Sequence, residues 1–192
     1  LTGELLHHRK LSLDYDADLE GVTWAEPTGM LYIVVEMQDT ILEVDPDDLT
    51  VRREFPVQRS VGDSTVIAEG GQGLEGITFV PDDDDQDGGT FYVVNQGFED
   101  SAEDDASAIL QIRVPLRARR DITAARILRH IPLTVFNVAA IHFDAHATEL
   151  HLFSQGTLCR ATMDGEIRET YAMPGDEPEG IAFDGSGHMY FA

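Results

Sequence analysis

The stretch that decides the fold is Leu19-Glu20-Gly21-Val22-Thr23-Trp24, because close variants of it return three more times along the chain. The other copies lie at residues 74–79 (LEGITF), 138–143 (VAAIHF) and 178–183 (PEGIAF). Each copy is followed by a turn rich in Gly, Pro or Asp and then by a second run of β-branched and aromatic residues. This pattern is typical of a β-hairpin. Its return along one chain indicates a repeat architecture.

Further strand-like runs follow two of these hairpins. Residues 40–44 and 51–55 come after the first copy, and residues 157–163 and 166–171 come after the third. Four strands in each unit is the plan of a propeller blade. We therefore predict an all-β chain in which residues 1–192 form a single, incomplete β-propeller domain of about four four-stranded antiparallel blades. A β-sandwich is the main alternative, but it does not explain why the same hexapeptide keeps returning.

The two ends of the chain suggest how the ring is arranged. Residues 5–13 resemble the predicted outer strands at 125–133 and 166–173, so we expect them to form an outer strand that closes the ring on the last blade. The fourth unit reaches Ala192 inside its second strand. We therefore expect the sequence to be incomplete at its C-terminus.

The composition is strongly acidic. Asp and Glu number 36 against 13 Lys and Arg, which gives a formal net charge of −23. Such a surface repels nucleic acid and anionic lipid and attracts divalent cations. Adaptation to high salt is an alternative explanation for most of this charge. No apolar run is long enough to span a membrane, and a single cysteine, Cys159, excludes an internal disulfide.

Three glutamates occupy one position of the repeat, namely Glu20, Glu75 and Glu179. The first strand of each propeller blade lines the central channel, so these carboxylates should converge on one axis. Converging carboxylates repel one another unless a cation or protons neutralise them. Calcium accepts six to eight oxygen ligands, so we predict a calcium site there. The alternative is that the glutamates cap strand ends by accepting hydrogen bonds from backbone N–H groups.

Three more residues complete the predicted calcium site. The third copy has Ala139 at the glutamate position, and Asn137 two residues earlier offers an amide oxygen instead. Asp18 and Glu177 stand at the same offset in the first and fourth copies.

A second acidic feature is the turn after the second copy. Asp83, Asp85 and Asp87, followed by Gly88, match the beginning of a calcium-binding loop. The twelfth loop position is Val94, which cannot bind calcium, so the turn is not an EF-hand. It is predicted either as a peripheral calcium loop or as a solvated acidic turn.

Four segments together resemble the SdiA-regulated family of bacterial β-propeller proteins. They are Asp18-Leu19-Glu20-Gly21 with residues 32–36, residues 73–77, residues 137–143 and residues 177–184. The resemblance implies a propeller with a bound calcium ion and no settled enzymatic activity. It also implies a periplasmic, cell-envelope or extracellular location.

Two functions remain open from the sequence. The first is a noncatalytic calcium-binding propeller that recognises or scaffolds an unidentified protein or small-molecule ligand. The second is a metal-dependent hydrolase of the lactonase, esterase or phytase kind, with its site at the channel. In that case the ion would polarise the scissile group and a carboxylate would act as the base. Glu36, Asn95 and Gln96 would then be candidates for the pocket wall.

Overall fold

A computed structural model describes residues 5, 8–69, 72–98, 106–119, 124–173, 179–184 and 186–191. Strands and turns account for the regular structure of these residues. Within these ranges, no helix has the length and apolarity needed to cross a membrane. The strands are β1 (Leu19–Ala25), β2 (Met30–Val35), β3 (Thr40–Val44), β4 (Val51–Pro56), β5 (Ser60–Val61), β6 (Ser64–Thr65), β7 (Leu74–Pro81), β8 (Gly89–Asn95), β9 (Ala106–Arg113), β10 (Arg126–Phe136), β11 (Val138–Asp144), β12 (Glu149–Ser154), β13 (Thr157–Ala161), β14 (Ile167–Ala172), β15 (Ile181–Phe183) and β16 (Met189–Phe191).

These strands form the blades that the repeat predicts. Strands β1 to β4, β7 to β10 and β11 to β14 make three four-stranded sheets in which each strand pairs with the next along the chain, and every pairing is antiparallel. We call these sheets the first, second and third blades. Strands β15 and β16 form a fourth hairpin, and β5 with β6 forms a small extra one. The β-propeller prediction is confirmed, although the described blades do not close into a full ring.

The first strand of the first blade and that of the second are each interrupted at the Glu-Gly step of the repeat. The register between β1 and β2 shifts between Leu19 and Val22, and that between β7 and β8 shifts between Leu74 and Ile77. A bulge of this kind bends a strand and redirects its side chains. The repeated Glu-Gly pair therefore lies where the inner strand bends.

Glycine at this bulge allows neighbouring inner strands to approach backbone to backbone. A Cβ atom placed on Gly21 would lie 2.8 Å from the carbonyl oxygen of Glu75. One placed on Gly76 would lie 2.7 Å from the backbone nitrogen of Ile141. The small residue therefore decides how close two blades come at the channel.

A threonine of the same hexapeptide joins consecutive blades. The backbone N–H of Phe79 donates to the hydroxyl of Thr23 at 3.2 Å, and that of Phe143 donates to the hydroxyl of Thr78 at 3.1 Å. Each bond runs from the aromatic position of one copy to the threonine position of the preceding copy. Two inner-strand seams are therefore hydrogen-bonded in the same way.

The hydrophobic core lies between blades rather than within one sheet. One cluster, which includes Tyr32, Ile41, Phe91 and Leu110, fills the space between the first and second blades. A second cluster, which includes Val94, Ile109 and Leu152, joins the second blade to the third. Burial of these apolar side chains from both sides is the main stabilising contribution to blade stacking.

The N-terminal strand prediction is wrong for the described part of residues 5–13. Residue 5 and residues 8–13 are not in a strand. Leu11 and Leu13 instead pack against Val35, Leu42 and Val44 on the outward face of the first blade. The alternation of leucine with polar residues gives the segment one apolar side, and that side covers a sheet face instead of pairing with a sheet edge.

Candidate functional site

Acidic side chains converge where the inner strands begin. Carboxylate oxygens of Asp18, Glu20 and Glu36 all lie within 4.8 Å of one another. The chain path explains this closeness, because the backbone N–H of Glu36, just after β2, donates to the carbonyl oxygen of Asp18, just before β1. We call these three residues, together with Glu75 and Glu179, the carboxylate cluster.

The second blade contributes Glu75 to this cluster. The carboxyl groups of Glu20 and Glu75 hydrogen-bond to each other, and Glu75 is the more buried of the two. Burial, followed by the charges of Glu20 and Glu36, raises the pKa of Glu75 to about 8. Glu75 therefore keeps a proton more readily than an ordinary carboxyl group when no cation is bound.

Glu179 of the fourth hairpin faces the same cluster. Partial burial raises the pKa of Glu20, and the charges of Asp18 and Glu179 add to the rise. The charge of Glu179 also contributes to the raised pKa of Glu75. The three glutamates of the repeat are thus close enough to repel one another, as the sequence predicts.

The other predicted ligands have different outcomes. Asn137 adopts a left-handed backbone conformation (φ 48°) just before β11, and its amide oxygen is buried without a hydrogen-bond partner. An oxygen in that state suits a cation, since desolvation without a partner is costly. Glu177 lies outside the described residues.

Glu36 is a cluster member that the sequence predicted only as part of a pocket wall. A Cβ atom on Gly73 would lie 2.2 Å from its Cγ, so the Glu36 side chain crosses from the first blade over the second. The signal available in the sequence was its position directly after β2. In the second blade Gln96 has the equivalent place, and its N–H donates to the carbonyl oxygen of Gly73.

A cavity of about 420 Å³ extends from the cluster between the inner strands. Glu20 and Glu179 lie on its wall together with apolar residues that include Val22, Ile77 and Ile141. One side of the cavity is therefore charged and the remainder is mostly apolar, a combination typical of small-ligand sites.

The acidic turn after β7 is held by bonds to the protein. Asp83 is exposed, whereas the carboxylate of Asp85 pairs with Arg113 at 2.5 Å and accepts the N–H of Asp87 at 2.8 Å. Asp87 is buried and accepts the backbone N–H of Arg117 at 3.0 Å. Burial alone would raise the pKa of Asp85, but its hydrogen bonds outweigh burial and lower it. Among the described residues, these three aspartates do not form a group whose oxygens meet.

A comparison with known protein families identifies the family of the chain. The profile of the phytase-like family, described as "Esterase-like activity of phytase", matches residues 7–117, which is more than half of the chain. The chain belongs to the phytase-like family. The match supports a β-propeller and does not support the SdiA-regulated family specifically. No curated protein matches the chain.

Solved structures similar to this phytase-like chain show the fold. The PQQ-bound aldose sugar dehydrogenase from Streptomyces coelicolor superposes with a TM-score of 0.59 at 18% identity, covering 92% of this chain and 56% of that one. A protein of unknown function from Bacteroides caccae superposes with a TM-score of 0.53 at 12% identity, covering 92% of this chain and 53% of that one. The chain thus spans little more than half the length of either structure.

Proposed function

We propose that the chain binds a calcium ion at the end of the channel through the carboxylate cluster. The observation that carries the proposal is that Asp18, Glu20, Glu36, Glu75 and Glu179 meet from two blades and a hairpin. Like charges brought together and partly desolvated are costly unless a cation joins them. The raised pKa of Glu75 has the same cause, because burial and neighbouring negative charge favour a protonated carboxyl group when no cation is present.

The chemistry of the donor atoms favours calcium among common ions. The cluster offers oxygen atoms alone, and the unpartnered amide oxygen of Asn137 is a further oxygen donor close to the third inner strand. Calcium accepts many oxygen ligands in flexible geometry, whereas zinc prefers nitrogen and sulfur. The likeness of the repeat motifs to SdiA-regulated proteins implies the same ion.

The role that we propose for this calcium is structural. Glu20, Glu75 and Glu179 belong to separate parts of the propeller, so one ion bound to them ties those parts together. The protein would then act as a noncatalytic recognition or scaffold module in the periplasm, cell envelope or extracellular space. Calcium modules outside cells work with modest affinity. We propose the same role for the whole protein, of which the chain spans little more than half when measured against the similar solved structures.

Ester hydrolysis is the second candidate, suggested by the family description "Esterase-like activity of phytase". A calcium ion in the cluster would polarise a bound ester or phosphoester, and a carboxylate of the cluster would act as base. Calcium-dependent release of product from a nitrophenyl ester or phosphoester, lost in Glu75→Gln, would favour this candidate. No turnover above a chelator control would favour the structural role.

Thermal melts with and without calcium test the binding itself. Calcium should stabilise the wild type by mass action, by about 2.7 kcal/mol at a hundredfold excess over its dissociation constant. Glu75→Gln keeps the shape and removes one charge, so calcium should shift its melting temperature less. High monovalent salt suppresses weak binding to the general acidic surface.

A matched control is Asp63→Asn, which removes one exposed carboxylate at the turn between β5 and β6, outside the carboxylate cluster. Its calcium shift should equal that of the wild type. Equal shifts in wild type and Glu75→Gln, or no shift in either, would show that the cluster is not the site.

A further inference from the structure

The seam between the third blade and the fourth hairpin is built differently from the two seams before it. The first two seams use the hydroxyl of Thr23 or Thr78 as an acceptor. The third copy of the repeat has His142 at that position. Its ring lies against Phe183, the aromatic residue of the fourth copy, with ring centroids 4.8 Å apart. An ionisable ring therefore replaces an uncharged hydroxyl.

A second histidine contributes to the same contact. His151 lies directly opposite His142 across the pairing of β11 with β12. Its ring stacks on Phe183 at 4.9 Å, and the residue is only 6% exposed. The Nδ1 atom of His151 is buried without a hydrogen-bond partner. Phe183 thus rests on two adjacent imidazoles, one of which has a ring nitrogen shielded from water.

The charged groups around the pair come from four strands of the third blade and have hydrogen-bond or ion-pair partners of their own. On β11, the carboxylate of Asp144 accepts the N–H groups of His146 and Ala147. On β12, Glu149 pairs with Arg160 of β13 and with Arg168 of β14. The charge of Asp144 favours protonation of both histidines and that of Glu149 favours it at His151, whereas Arg160 opposes it there.

The fourth hairpin brings no carboxylate of its own strand β15 to the rings, since that strand reads Ile-Ala-Phe. Asp184, the next residue, accepts hydrogen bonds from Ser186, His188 and Tyr190. Burial lowers the pKa of both His142 and His151, and the neighbouring imidazole lowers that of His142 further. Both rings are therefore neutral at neutral pH.

We propose that the contact of Phe183 with His142 and His151 is an acid-sensitive joint, which holds the fourth hairpin on the third blade at neutral pH and releases it in acid. The physical cause is hydration: a protonated imidazole packed under a phenyl ring loses water that it regains when the hairpin moves away. A base whose pKa is lowered by folding stabilises the folded form at pH values above its ordinary pKa, which is 6.5 for histidine. That stabilisation is lost as the pH falls below this value.

The joint has a consequence for the proposed calcium site, and this part rests on the proposed function. Glu179 lies two residues before β15, so a released hairpin carries it away from Glu20 and Glu75. In acid, the calcium affinity should then fall further than it would if protons only competed with calcium for the carboxylates.

Hydrogen exchange read by mass spectrometry tests the joint directly. The wild type is labelled near pH 7.5 and at about pH 5 in the presence of chelator, with labelling times scaled for slower intrinsic exchange in acid. Peptides that cover residues 179–191 should lose protection in acid, while peptides from the first and second blades should not. Protonation of the carboxylate cluster relieves repulsion, so it acts in the opposite direction and cannot produce this loss.

Two variants give the controls. His142→Thr with His151→Phe restores the threonine of the other seams and keeps an uncharged ring, so its fourth hairpin should stay protected in acid. His188→Gln removes the exposed histidine of the fourth hairpin itself and should behave as the wild type. Retained protection at 179–191 in acidic wild type, or equal loss in the double variant, would overturn the joint.

The calcium-binding experiment is independent of the hydrogen-exchange experiment. Between about pH 7.5 and about pH 5, the calcium affinity of the wild type should fall severalfold more than that of the double variant. Acid opening without any calcium binding would support the joint and refute the proposed function. Calcium binding with the same pH dependence in both proteins would overturn the link between joint and site.

Discussion

At the scale of single residues, the most informative group is Glu75. It is the middle member of the repeated glutamates, it hydrogen-bonds to Glu20, and burial with neighbouring charge raises its pKa to about 8. A carboxyl group that is neutral near physiological pH without metal and ionised with metal couples cation binding to proton release. That coupling makes the group a sensitive probe of the site.

The first prediction concerns Glu75 without calcium. Folding raises its pKa from 4.5 to about 8, so its favourable contribution is complete below pH 4.5 and is lost as the pH rises towards 8. In chelator, the free energy of unfolding should therefore fall between about pH 7 and about pH 8, a range above the ordinary histidine pKa of about 6.5. Urea denaturation at each pH measures it.

Glu75→Gln is the comparison for this experiment, because the amide does not titrate. Its stability should vary less with pH over the same range, and saturating calcium should flatten the wild-type curve as well. A wild-type curve that rises with pH in chelator would contradict the raised pKa of Glu75.

At the scale of elements, the inner strands decide how blades join. The hexapeptides of the first two blades each supply a glutamate to the channel, a glycine for close approach and a threonine that accepts a bond from the next blade. The periodic alternation of apolar residues and the turn residues were enough to predict most of these strands. They did not predict the role of Thr23, because its partner, the N–H of Phe79, belongs to another blade and leaves no local sign in the sequence.

The second prediction concerns these threonines. Thr78→Val keeps the shape of a buried side chain but removes the acceptor of the Phe143 N–H. Leaving that donor without a partner should cost about 1 to 3 kcal/mol of unfolding free energy. Thr134→Val, on the exposed side of β10, is the control and should change it by no more than about 0.5 kcal/mol. Equal effects would mean that the bond across the seam contributes nothing.

The third prediction concerns the glycines of the bulge. Gly76→Ala places a methyl group 2.7 Å from the backbone nitrogen of Ile141, and a backbone cannot move aside as a flexible side chain does. The blades must separate, so the loss of unfolding free energy should reach about 3 kcal/mol. Gly62→Ala has open space around the new methyl group and only a left-handed backbone to strain, so its loss should be about 1 kcal/mol. A Gly76→Ala protein as stable as Gly62→Ala would show that the strands are not in such close contact.

At the scale of the whole molecule, sequence and structure agree on the ring-like order of blades and differ on what covers the first blade. The fourfold repeat predicted the blades because each unit carries its own turns and strands. It could not predict the place of residues 8–17, since an alternating apolar pattern pairs with a sheet edge or covers a sheet face equally well. Glu36 was underestimated for a related reason: it joins the cluster by crossing from one blade to the next, a relation that only the assembled molecule contains.

The hydrogen bond between Thr23 and Phe79 has a bearing on how such a chain could have arisen. The second copy of the hexapeptide contains both halves of a seam, an acceptor in Thr78 for the unit that follows and a donor in the Phe79 N–H for the unit that precedes. A tandem duplication of the coding segment therefore yields a unit that already fits its parent, with no need for a second compensating change. One seam can then differ without a change in the others, as His142 at the threonine position of the third copy illustrates.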